Sequence, residues 1–123
     1  MSTARATVLL AATMAFYSPN FAAAQQSAPQ ASAGGESVYT YWCATCHSPG
    51  PSMPGTQALQ AKYGGNPPAV LTERPDLTPE FIALIVRSGI SVMPPFRKTE
   101  ISDSELAELS DYIVTLARRS AGN

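Results

Sequence analysis

Apolar positions along the chain recur at helical spacing in several stretches, and clusters of proline and glycine separate those stretches. The first stretch predicts a helix from Glu36 to Cys46, on which Val38, Tyr39 and Trp42 form one apolar stripe and Glu36 sits near the positive end of the dipole. Gly34-Gly35 is expected to break the chain ahead of it. Ser48 to Gly55 (SPGPSMPG) holds three prolines and two glycines, which exclude regular structure. Thr56 then reads as the cap of a short helix from Gln57 to Tyr63, ended by Gly64-Gly65. Asn66 to Arg74 reads as another helical turn entered through Pro67-Pro68, with Leu59, Val70 and Leu71 in the core.

Two later helices carry stronger signals. Leu77-Thr78-Pro79 offers a capping threonine, a proline at the first helical position and a Leu77–Ile82 staple, predicting a helix from Pro79 to about Ser88 that stops at Gly89. Phe81, Ile82, Leu84, Ile85 and Val86 make that helix apolar on most faces, so it is expected to be buried. Ser102-Asp103-Ser104-Glu105 is a capping box with an Ile101–Leu106 staple, and Leu106, Leu109, Ile113 and Leu116 mark one face of the last helix, with Tyr112 beside it. This face is expected to cross the first helix. The pattern is that of a small all-α domain.

The N-terminus changes the accounting. Arg5, an apolar run from Ala6 to Phe16 and the small residues Ala22-Ala23-Ala24 have the three-part form of a secretory signal peptide, with cleavage after Ala24 and export to the periplasm. The run is too short to span a bilayer. Residues 25–34 then read as a disordered leader, 35–119 as one folded domain and 120–123 as a flexible tail. Losing Arg5 leaves seven basic against nine acidic side chains, a net charge of −2, which suits neither nucleic acid nor an anionic membrane.

The chemistry lies in Cys43-Ala44-Thr45-Cys46-His47, the spacing that attaches a c-type haem. Two thiols three positions apart share one helical turn, where each can add to a haem vinyl group, and His47 follows as the proximal iron ligand. It is the sole histidine of the chain. Three other readings of the motif exist. A thioredoxin-like dithiol needs a buried strand ahead of the CxxC, and Gly34 to Tyr41 is too polar for one. Structural zinc needs four ligands, and no further cysteine or histidine exists. A plain disulfide fits an oxidising compartment but leaves His47 without a role. One covalent haem c in so small a core would supply much of its apolar mass, so the haem-free chain is expected to fold poorly.

A second axial ligand is needed unless the iron is open. Met53 lies six residues after His47 in the same proline loop, where a wrap to the opposite haem face would be tight. Met93 lies 46 residues on, in Gly89-Ile90-Ser91-Val92-Met93-Pro94-Pro95-Phe96, and Met93 and Pro94 each precede a proline that stiffens the loop. Met93 is the expected ligand, its soft sulfur raising the reduction potential. With both axial positions filled, the expected activity is outer-sphere transfer of single electrons, with no substrate site and no catalytic residue. Arg97 and Lys98 follow directly, placed to pair with a haem propionate or an acidic partner, or simply solvated.

Cys43 to His47 near the mature N-terminus, with Met93 ahead of a terminal helix, resemble a class I cytochrome c over residues 35–119. A narrower resemblance lies in Pro49-Gly50-Pro51, Gly55-Thr56-Gln57-Ala58-Leu59, Pro68 to Arg74, Asp76-Leu77-Thr78-Pro79 and Met93 to Ile101. These segments are similar to the cytochrome subunit of the 4-cresol dehydrogenase (hydroxylating), or p-cresol methylhydroxylase, group and of eugenol hydroxylase. That resemblance implies a flavoprotein subunit as partner, which oxidises a para-alkylphenol and passes electrons singly to this chain for a downstream periplasmic acceptor. It also implies that Cys43 and Cys46 hold the haem while His47 and Met93 ligate its iron. A freely diffusing periplasmic carrier is the alternative, with a thiol-disulfide oxidoreductase behind it.

Overall fold

The computed structural model describes residues 31–122, which fold as helices joined by loops, with no β-strand among them. The signal peptide assigned to residues 1–24 and most of the leader lie outside the described residues. Helix α1 (Ala33–Val38) continues through a π turn (Tyr39–Cys43) into α2 (Ala44–His47). After the proline loop come α3 (Pro54–Tyr63), a 3-10 turn (Leu71–Glu73), α4 (Pro79–Ser88) and α5 (Asp103–Ala121).

Three sequence expectations about element starts need correction. Helix α1 begins at Ala33, capped by Ser32, whose hydroxyl accepts from the Gly35 amide at 3.0 Å. Gly34 and Gly35 therefore lie inside the helix instead of breaking the chain before it. The lack of a side chain at Gly35 is what allows the close crossing with α5. A β-carbon at Gly35 would come 2.2 Å from the Glu108 carbonyl oxygen and 2.7 Å from the Tyr112 β-carbon. Helix α3 starts at Pro54, the first-turn proline, with Met53 at the cap position. Thr56 is not the cap; it is buried, and its hydroxyl donates to the Ser48 carbonyl at 2.9 Å. The segment 66–74 yields only the 3-10 turn, since Val70 is extended and Pro75 disfavours helical geometry at Arg74.

The two strong caps form as the sequence predicts. The Thr78 hydroxyl accepts from the Phe81 amide and α4 ends at Gly89, while Ser102 and Glu105 exchange the reciprocal bonds of a capping box. The staple residues Ile101 and Leu106 are both buried.

The core lies where α1 and α5 cross and α4 joins them. Val38 and Tyr39 from the first helix meet Leu106, Leu109, Ile113 and Val114 from the last, with Ile82 and Val86 of α4 closing the cluster. Burying side chains such as Leu109 and Ile113 contributes roughly 1.5–3 kcal/mol each. Ala117, not Leu116, completes the buried face of α5. Leu71 and the half-buried Met93 pack against the cluster, whereas Leu59 and Val70 are only partly covered. Helix α4 is buried on one stripe only. Ile82 and Val86 face the core, while Phe81 and Leu84 are exposed.

Candidate haem site

The π turn leads directly into the CxxCH motif. Its hallmark is the Ala44 amide reaching back five residues to the Tyr39 carbonyl, which widens the helix by one residue immediately before the motif. Tyr39 and Trp42 stay with the core through this turn, and the short α2 then carries Cys46 and His47. Cys43 packs against the core cluster, while Cys46 is exposed; both are free thiols.

Burial, and secondarily Cys46, push the Cys43 thiol up to about 11. That is the reverse of what a thiolate nucleophile requires. The segment ahead of the CxxC is helical where a thioredoxin-like fold needs a strand, which counts against the dithiol reading. Structural zinc takes four ligands, and Cys43, Cys46 and His47 are all the cysteine and histidine that the chain offers.

His47 is fixed through its main chain. The Tyr39 hydroxyl donates to the His47 carbonyl at 3.1 Å, and Thr56 holds the next carbonyl, that of Ser48. Gly55 lies against the imidazole, where a β-carbon would fall 2.6 Å from Cε1 and 2.8 Å from Nδ1. Burial lowers the His47 pKa, favouring the neutral ring that binds a metal. No carbonyl of the Ser48–Gly55 loop accepts a hydrogen bond from Nδ1 of the imidazole. His47 Nδ1 is enclosed without a hydrogen-bond partner. Orientation comes instead from the Gly55 contact and the two anchored carbonyls.

Met93 lies in a tight turn beyond α4. The Ile90 amide donates to the Met93 carbonyl at 3.0 Å and the Met93 amide to the Ile90 carbonyl at 2.9 Å. Gly89 has a φ of +69°, and a β-carbon there would lie 2.7 Å from the Met93 carbonyl oxygen, so the turn requires glycine. The loop is tied to the motif by aromatic packing, with Trp42 and Phe96 edge to face at 5.6 Å between centroids. Trp42 precedes Cys43 and Phe96 follows Met93 by three residues. The structure thus joins the neighbourhoods of two sequence segments some fifty positions apart.

Two arginines have roles that no sequence pattern signals. Arg74, only 5% exposed, forms a forked pair with Asp76 at 2.8 and 2.6 Å and stacks over Tyr63. Arg87 donates to the Phe96 carbonyl at 3.1 Å and to Asp103 at 3.0 Å. Arg87 depends on tertiary neighbours, whereas Arg74 has its carboxylate two positions on and only its ring contact, Tyr63, farther away. Arg97 and Lys98 find carboxylates of their own chain, Glu100 and Asp103 respectively.

The donor set, two unbridged thiols and a half-buried imidazole close together in the chain with a core-packed thioether elsewhere, fits a covalently held haem. Residues 30–113, about two thirds of the chain, match the family described as cytochrome C oxidase, cbb3-type, subunit III. The chain belongs to that family. It is a class I c-type cytochrome, an electron-transfer domain with covalently bound haem c. No curated protein and no solved structure gives a significant match to this cytochrome. No helix among its described residues is long and apolar enough to cross a membrane.

Proposed function

We propose that this cytochrome is exported to the periplasm with cleavage after Ala24 and serves there as the electron-accepting subunit of a flavocytochrome that oxidises para-alkylphenols. Cys43 and Cys46 would hold the haem by thioethers, and His47 and Met93 would ligate its iron. The haem supplies a one-electron ferric/ferrous couple. The protein's residues would orient the ligands and offer a docking face for the flavoprotein.

The observation that carries the subunit reading is the character of the Met93 loop. Val92 is 91% exposed and Ile90 50%, flanking the ligand with apolar surface. The adjacent cations Arg97 and Lys98 are paired within the chain, which leaves little charge for steering. Such a surface suits a lasting, dry contact better than a salt-sensitive encounter. The segments resembling the cytochrome subunit of p-cresol methylhydroxylase point to the same partner class.

A freely diffusing periplasmic carrier uses the same haem ligands and differs only in its assembly. Size-exclusion chromatography of untagged protein from its native periplasm separates the two, with haem and flavin absorbance recorded together. Co-elution of haem and flavin in a particle larger than the single chain is expected. A haem peak at the size of the single chain, free of flavin, would overturn the subunit reading in favour of the carrier.

A further inference from the structure

Most of the Met93 loop cannot fasten itself. Pro94 and Pro95 have no amide hydrogen to donate, so after the Ile90–Met93 turn the next main-chain anchor is Phe96. Phe96 is held on both sides of its peptide. Its amide donates to the Val86 carbonyl at 2.8 Å, and its carbonyl accepts from Arg87 Nη1 at 3.1 Å. The same guanidinium donates through Nη2 to Asp103 Oδ1 at 3.0 Å, in the first turn of α5. Lys98 closes the far side by donating to Asp103 Oδ2 at 2.7 Å. Arg87 thus joins three elements, the end of α4, the strap carrying Met93 and the start of α5, and its side chain is only 24% exposed.

We propose that Arg87 is a positioning residue that latches the Met93 strap and sets how readily the thioether leaves the haem iron. This rests on the reading of Met93 as axial ligand. A fork is needed for the task, because one group must donate to a carbonyl and a carboxylate in different directions. A lysine can satisfy Asp103 or the Phe96 carbonyl, not both with the same geometry. Opening the strap leaves the Phe96 carbonyl without its donor, so the latch favours the closed, thioether-ligated form.

Competition by imidazole measures strap opening directly, since imidazole binds the ferric iron only when the thioether has left. Ferric holoprotein would be titrated in the wild-type, Arg87→Gln and Arg87→Lys forms, following loss of the far-red thioether-to-iron charge-transfer band. Loss of a hydrogen bond from a charged donor predicts that Arg87→Gln takes up imidazole about tenfold more tightly. Arg87→Lys is expected to fall between the two, and it carries the test if the glutamine form does not assemble. A merely structural arginine would weaken the ligated and opened forms alike and leave the imidazole affinity unchanged. Unchanged affinity with the band present in all proteins overturns the latch alone. A wild-type protein without the band overturns Met93 as the ligand, and the latch with it.

Discussion

Gly55 lies directly against the His47 ring: a β-carbon at position 55 would lie 2.6 Å from Cε1 of the imidazole and 2.9 Å from the Cys46 carbonyl oxygen. One of these neighbours is main chain and the other is the proposed iron ligand, so neither can yield cheaply. Gly55→Ala is expected to destabilise the holoprotein by about 1–3 kcal/mol and to lower the fraction of chains carrying haem. Thermal melting and a haem-to-protein absorbance ratio test this. Wild-type values for both would show that the contact has room to relax.

Tyr39 gives the fold an alkaline limit. Burial, then the neighbouring Cys43 and Tyr112, push its phenol from 10.0 up to about 12. The unfolded chain releases this proton first, so the stability linked to the neutral phenol is whole below about pH 10 and is lost as pH rises toward 12. Tyr39→Phe should cost about 1 kcal/mol at neutral pH through the lost bond to the His47 carbonyl, and should flatten the decline above pH 10. Urea unfolding across that range is the measurement. Parallel decline in both proteins would assign the alkaline limit to another group.

The two glycines at the helix crossing are predicted to differ. At Gly35 an added β-carbon meets the Glu108 main chain, whereas at Gly34 it meets the end of the Glu108 side chain, which can swing away. Gly35→Ala should therefore cost about 3 kcal/mol, and Gly34→Ala should be nearly neutral. Equal effects on the melting temperature would mean that the crossing is not set by the main-chain approach.

Much of this fold is legible in the sequence because its signals are local. The capping box at Ser102 and the threonine cap with proline ahead of α4 are satisfied by residues three or four positions apart, and both form. The CxxCH motif is local too, and its spacing alone points to haem chemistry. The exceptions are residues whose role is decided across the fold. Thr56 looks like a cap by composition, yet Pro54 starts the helix and the Thr56 hydroxyl turns to Ser48. Gly34 and Gly35 look like a break, yet both lie inside α1, and α5 needs the glycine at position 35. The apolar run of α4 suggests complete burial, but the core takes only the stripe of Ile82 and Val86. Arg87 carries no local pattern, since Phe96 and Asp103 reach it only after folding.

The central claim, a haem c whose iron lies between His47 and Met93, is tested most directly by the far-red absorption spectrum of ferric protein carrying Met93→Ala beside one carrying Met53→Ala. The thioether-to-iron band is expected to disappear with Met93→Ala and to persist with Met53→Ala. A band that survives the loss of Met93 would contradict the claim.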